Sequence, residues 1–415
     1  MPHMSESNLS RLTTRKPRVS SKVTYPALDG LRALAITLVF IAHFGGGSHG
    51  GRFLQWFNRV RVFGGAGVCL FFVLSGFLIT GILYDTRLGQ HYFKNFYIRR
   101  SLRIFPIFYL VLALCVVLTP ILHFQLQWGH ISFLFYLGNF FANENWSLYN
   151  LTSPTHPALS ISLSHFWTLF VEEQFYLIWP VAVFLMRDRV KLIRLSVAVI
   201  LLVLLLRIGM VWFLPFRTAE QSVRLLPTQA DALVVGGAMA LLLRGPAAER
   251  WLRRSWVFFL SGLAAFFLLA LWRGYFGFSD PYNMTIGLTF INLASAGLIA
   301  MAIQNGSTVF RLFSLRPFRI IGKYSYGFYI YHDLFTSARI AFFVWCMAIF
   351  HSMLIAGLVY ASSSYLITLL VAGLSYELYE KRFLAMKSRF QYEPREARSE
   401  ESASMLPAQQ GAPFS

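Results

Sequence analysis

Residues 28–44 read LDGLRALAITLVFIAHF. This is an apolar, membrane-spanning helix by pattern, yet it carries Asp29 and Arg32 at one end and His43 at the other. Eleven residues make close to three whole helical turns, so Arg32 and His43 fall on nearly the same face, roughly 16 Å apart along the axis. An arginine held inside a span costs about 2.5–3.5 kcal/mol on insertion scales unless it faces a partner or a wet cavity. In one reading Asp29 and Arg32 sit at the headgroup boundary, snorkel and pair with each other, and His43 is a hydrogen-bonded helix-end residue. In the other, Arg32 and His43 line a functional cavity. The rest of the chain decides between them.

The 415 residues are 56% hydrophobic, 17% aromatic and 13% charged, with a mean hydropathy of +0.55. Soluble domains carry about 25% charged residues, so this composition belongs to an integral membrane protein in a lipid bilayer. The net charge of +19 does not mark a nucleic-acid binder, because the basic residues fall in short clusters between apolar runs. Cys69, Cys115 and Cys346 are isolated in apolar runs, with no spacing for a metal or a disulfide. No metal is expected. Residues 1–25 are polar and basic, and both they and 384–415 are expected to be disordered cytoplasmic tails; no cleavable signal peptide is visible.

Apolar runs long enough to span occur near 28–44, 66–84, 102–122, 166–186, 192–214, 226–243, 256–272, 284–303, 324–350 and 352–376. An eleventh piece, 131–142, is short for a span and reads as re-entrant or interfacial. The expected fold is all-α, a polytopic bundle of about ten spans. With the N-terminus inside, 28 of the 37 Lys and Arg fall in cytoplasmic segments and six in outward ones. That is a clear positive-inside bias, and it places both termini in the cytoplasm. Arg32 then lies near the cytoplasmic end of the first span and His43 near its outer end.

Several constellations carry chemistry. FGGAGVCLFFVLSGFLIT (63–80) puts small residues where helices can approach closely; Ser75 has no base at helical spacing, and the glycines form no phosphate loop. YIRRSLRIFPIFYL (97–110) sets Arg99, Arg100 and Arg103 at a cytoplasmic helix start. Arg100 and Arg103 are three apart and project together, which suits a phosphorylated ligand; a purely topogenic role stays open. In HFWTLFVEEQFYLIWP (165–180), Glu172 and Glu173 are expected at the depth of His43, where one of them would fix the histidine tautomer. Arg224 and Asp231 bracket the outer half of the span at 226–243, with a mutual ion pair as the structural alternative. KYSYGFYIYHDL (323–334) adds Tyr326 and His332 as members of a substrate-binding or structural polar network, together with Asp29, Arg224 and Asp231.

This set of motifs resembles acyltransferase family 3, the bacterial integral-membrane O-acyltransferases. The matching pieces are LDGLRALAITLVFIAHF, GVCLFFVLSGFLI, RRSLRIFPIFY, FWTLFVEEQFYLIWP, the Arg224…Asp231…Gly236/Gly237…Ala240 spacing and SYGFYIYH, in family order from about residue 26 to 383. One departure is Arg382 in YEKRF, where the family usually has proline. The resemblance implies transfer of an acyl group, usually acetyl, from acyl-CoA to a hydroxyl of a glycan or glycolipid at the bacterial inner membrane. It implies His43 as the catalytic residue, Arg32 as essential nearby, and Arg100 and Arg103 on the coenzyme A phosphates, with no permanently bound cofactor. Many members carry a fused esterase-like domain; the likeness here is to the membrane domain alone, so the acceptor is expected to be met by the bundle and its loops.

An enzyme is therefore expected, with His43 as general base and Arg32 or a backbone donor stabilising the oxyanion. The competing reading is a transporter or flippase of a glycan or lipid intermediate, since charged residues inside spans also mark substrate routes. A third is an acyl-CoA-binding sensor, which would need Arg100 and Arg103 but not His43.

Overall fold

The apolar runs become helices in the computed structural model, which describes residues 25–44, 58–144, 146–215, 218–219, 221 and 223–391. In chain order the long helices are α1 (Pro26–His43), α2 (Ala66–Thr86), α3 (Tyr92–Leu122), α4 (Trp167–Met186), α5 (Arg189–Phe213), α6 (Leu226–Leu242), α7 (Ser255–Arg273), α8 (Leu288–Ala302), α9 (Arg316–Tyr331), α10 (Thr336–Phe350) and α11 (Met353–Ser375). Eight helical segments are long and apolar enough to cross a membrane, and α6 is a shorter apolar helix. The protein is a multi-pass helical membrane bundle. Its only described strands are the two-residue pair Asn150–Leu151 and Ile161–Ser162, antiparallel in the loop before α4.

Two sequence expectations shift. The single span expected at 324–350 is broken: α9 and α10 meet at a 100° bend. The break follows from polarity. Asp333 is 5% exposed and pairs with Arg339 at 2.5 Å, and Thr336 donates to its carboxylate at 3.1 Å, so the chain turns where these groups can satisfy one another. The segment at 131–142 is indeed too short to span and forms two small helices, Ile131–Leu134 and Gly138–Glu144. At the C-terminal end, helical turns continue to Arg389, past the boundary expected at 383. The remainder of the two expected tails, 1–24 and 392–415, lies outside the described residues, as does Arg52.

Burial separates inner from outer helices. In α2 and the Asn283–Ala302 segment, 78% and 72% of the most apolar stretch is buried, against 17% in α5 and 22% in α7. Leu202, Leu205, Leu271 and Trp272 on these outer helices stand well exposed. Such an apolar outer belt suits lipid. The centre is α2 crossing α6, and glycine makes the crossing possible. A Cβ on Gly76 would run into the Leu233 carbonyl, and one on Gly236 into the Val73 carbonyl. Each helix gives the other's backbone its closest approach, as small residues do between membrane helices.

A buried ion pair ties the outer helix α5 to this centre. Arg207 and Asp231 are both fully buried, with Nη2 donating to Oδ2 at 2.7 Å and Nη1 to Oδ1 at 3.2 Å. Thr289 accepts from Arg207 at 2.8 Å, and Asn292 donates to Asp231 at 3.1 Å, so α8 joins as well. The partner of Asp231 is thus Arg207 on another helix and not Arg224, whose carbonyl accepts from Asn139 at 3.1 Å. Removing one member leaves the other charge buried and alone, which costs about 3–5 kcal/mol. Asp231→Ala should therefore lower stability in detergent by that order, whereas Arg207→Leu/Asp231→Leu should recover most of the loss, read by thermal unfolding of both variants.

Candidate active site

Five helices turn polar side chains into one narrow cavity of about 100 Å³. Arg32 enters from α1, Ser75 from α2, Arg100 and Arg103 from α3, Glu172 and Tyr176 from α4, and Tyr326 and Tyr329 from α9. Between them the wall is apolar, with Phe71, Phe72 and Leu78. Charged groups in such a place must be paired, stacked or wet.

Arg100 is held three ways. Its Nη2 donates to the Tyr176 hydroxyl at 2.6 Å, and its guanidinium lies 4.3 Å from the Tyr176 ring centre. Glu172 and Glu173 are its electrostatic partners. The hydroxyls of Ser75 and Tyr176 meet, with the Glu172 carboxylate beside them. Arg32 pairs with Asp29 one turn away. Arg103 lines the same cavity with Arg32 and Arg100 as electrostatic neighbours, and among the described residues no carboxylate lies within salt-bridge distance of it. Arg99 points elsewhere: its Nη1 donates to the carbonyls of Lys387 and Phe390 at 2.8 and 2.9 Å. The three arginines of the cavity are therefore Arg32, Arg100 and Arg103, whereas Arg99, expected beside Arg100 and Arg103 on the donor phosphates, holds the C-terminal turn in place.

The expected pairing of His43 with Glu172 or Glu173 is not what the structure shows. Glu172 is seven residues beyond His165 on the way into α4, roughly 10 Å along a helix, which puts it with the arginines. His43 sits at the C-terminal end of α1, with Nδ1 2.8 Å from the Val39 carbonyl. A carbonyl only accepts, so Nδ1 carries the hydrogen and Nε2 presents its lone pair. Two further imidazoles follow. The His332 ring centre lies 5.0 Å from that of His43, and the His165 ring centre lies 5.0 Å from that of His332, both edge to face. His332 Nδ1 is 2.7 Å from the Tyr329 carbonyl, and His165 Nε2 is 3.1 Å from the Ile330 carbonyl. Their other nitrogens are buried and without a hydrogen-bond partner among the described residues. His332 reaches this place because it caps α9 at the bend. It is not in mid-helix, as its surroundings in the sequence suggest.

The two ends of the site are joined by Thr168 and Tyr329. Both line the cavity, and their hydroxyls meet. The Tyr329 hydroxyl also donates to the His165 carbonyl at 2.7 Å. Tyr326 closes the side, donating to the Ile104 carbonyl at 2.8 Å. Sequence reasoning missed His165, Tyr176 and Tyr329. A signal existed for one of them: Tyr176 is four residues from Glu172, the spacing that stacks side chains on one helix face. His165 and Tyr329 are linked across 164 positions, and no local pattern announces that.

A family model described as an acyltransferase domain matches residues 25–377. Among curated proteins, the chain is 32% identical over 323 residues to YrhL of Bacillus subtilis, covering 74% of this chain and 48% of that protein. It is 29% identical over 320 residues to the O-acetyltransferase OatA of Staphylococcus aureus, covering 74% and 50%. It is 29% identical over 331 residues to the peptidoglycan O-acetyltransferase OatA of Listeria monocytogenes, covering 77% and 50%. The chain spans about half the length of these relatives. No solved structure matches it. With the family model running over most of the bundle and every motif of the cavity inside the matched range, the chain belongs to acyltransferase family 3.

Proposed function

We propose that the protein is an O-acyltransferase of a bacterial cytoplasmic membrane, moving acetyl from acetyl-CoA to a hydroxyl of a glycan or glycolipid. One observation carries this reading: a cavity lined by three guanidiniums runs to Thr168 and Tyr329, and from Tyr329 ring packing continues through His332 to the tautomer-locked His43. The names of the relatives support acetyl as the group and a peptidoglycan-like glycan as the acceptor. The basic loops support a cytoplasmic entrance for the donor.

In this mechanism the coenzyme phosphates meet Arg103, Arg100 and Arg32, and the thin pantetheine arm fills the narrow cavity. The thioester arrives where the Thr168 and Tyr329 hydroxyls now meet, so that layer parts on binding. The acceptor oxygen attacks the thioester carbonyl while its proton passes to Nε2 of His43. The tetrahedral intermediate collapses, the C–S bond breaks, and the proton on Nε2 goes to the departing thiolate. Acyl-enzyme chemistry is not needed. Arg32 does not serve the oxyanion here, because it lies about 16 Å from His43 along α1; it belongs with the phosphate-side cations.

General-base help contributes about 10²–10⁴-fold. His43→Ala should lower acetyl transfer and acceptor-dependent release of coenzyme A by that factor while the donor still binds; transfer that persists in a folded variant would overturn the assignment. His332 packs edge-on against His43 and acts by positioning it. His332→Ala should reduce kcat about tenfold through lost orientation, with KM for acetyl-CoA unchanged. A matching change in KM would show a structural effect instead.

A further inference from the structure

A second, polar cleft of about 470 Å³ lies between the start of α3 and the last described turn, Met386–Arg389. Lys94 and Arg389 give it positive charge, His91 an imidazole, Phe390 an aromatic face and Asn95 and Gln391 amides, and no carboxylate lines it. The two walls are fixed to each other. Asn95 donates to the Gln391 carbonyl at 2.7 Å, and Arg99 bridges the carbonyls of Lys387 and Phe390.

Lys387 connects this cleft to the cavity. Its ammonium has Arg103, Arg100, Arg99 and Arg32 as electrostatic neighbours, and among the described residues no carboxylate lies within salt-bridge distance of it. Cations gathered this way repel one another, and a multiply charged anion placed among them removes that repulsion. Lys94 and Arg103 are nine residues apart on α3, roughly 14 Å along its axis. An anion reaching from Lys94 to Arg103 is therefore long, carries phosphate groups at two places, and offers a flat ring to Phe390.

We propose that this cleft holds the 3′-phosphoadenosine end of the acyl-CoA donor, with Lys387 and Arg103 on the diphosphate, Lys94 and Arg389 on the 3′-phosphate, and Phe390 against the adenine. The proposal rests on the acyl-CoA reading above and adds the residues that recognise the nucleotide. The phosphate of an anionic lipid headgroup shares part of this chemistry, and the experiment separates the two.

The test uses the full chain in phosphatidylcholine nanodiscs, titrated with coenzyme A and with dephospho-coenzyme A, which lacks only the 3′-phosphate. The wild type should prefer coenzyme A by about tenfold, the worth of one or two charge-assisted contacts. Lys94→Ala/Arg389→Ala should bind the two ligands equally, at the wild-type affinity for dephospho-coenzyme A, which also shows that the variant is folded. Lys387→Ala should weaken both ligands about tenfold. A double variant that keeps the preference, or weakens both ligands alike, would overturn the assignment. Nanodiscs doped with phosphatidylglycerol form the second arm: loss of lipid association in the double variant with an intact coenzyme preference makes the cleft a lipid site and also overturns it. If the wild type binds neither ligand but still transfers acetyl from another donor, the donor reading itself fails, and the nucleotide site with it.

Discussion

Arg100 against Tyr176 is the contact on which the site depends. A guanidinium cannot be neutralised by giving up its proton, so inside an apolar bundle it must be surrounded by groups that accept from it. Tyr176 does this with its hydroxyl and its ring together, and it passes the polarity on through Ser75 to Glu172. Three helices are thereby set at fixed separation around a space that hydrophobic packing alone would close. The cavity exists because its walls carry charges that must not touch lipid. This is the inverse of the Arg207–Asp231 pair, where the partners satisfy each other so fully that no space remains.

Helix α1 acts as a ruler through this bundle. Its rise separates Arg32 from His43 by three turns, and close packing leaves that separation no freedom. Gly30 sits against the Phe313 backbone and Gly322 of α9 against the Asp29 carbonyl, positions with no room for a Cβ. At the other end of α1, Arg61 donates to the Ala42 carbonyl at 2.6 Å, satisfying a C-terminal carbonyl of the helix next to His43. A substrate that must touch both ends therefore has to be long and thin, and the cavity at the Arg32 end is narrow.

The sequence made the helices legible because apolar length is a property of a single segment. Apolar runs near all ten expected positions recur as helices in the structure, whereas Arg32, expected to serve with His43, lines one cavity with Arg100 and Arg103. What stayed hidden was every choice among distant partners. Asp231 had a visible candidate in Arg224, seven residues away, but helix packing gave it Arg207. Glu172 and Glu173 had a visible candidate in His43, yet their depth along α4 assigned them to Arg100. The bend that delivers His332 was masked by the hydropathy of 324–350, which is continuous even though Asp333 and Arg339 break the helix from within.

The replacement of a carboxylate by carbonyls around the histidines bears on the chemistry proposed for His43. A carboxylate beside an imidazole does two things at once: it fixes the tautomer and it stabilises the imidazolium. The Val39 carbonyl does the first and supplies no full counter-charge for the second. His332, held likewise by the Tyr329 carbonyl and stacked edge-on, adds orientation without charge. The histidine is thus oriented by carbonyl and ring contacts and not by a carboxylate. In the direct transfer proposed above, Nε2 takes the acceptor's proton and passes it to the leaving thiolate, and a carbonyl on Nδ1 keeps that one nitrogen free for both transfers. What the proposed route asks of His43 is a single nitrogen held in one orientation, and the Val39 carbonyl and the His332 ring supply that hold.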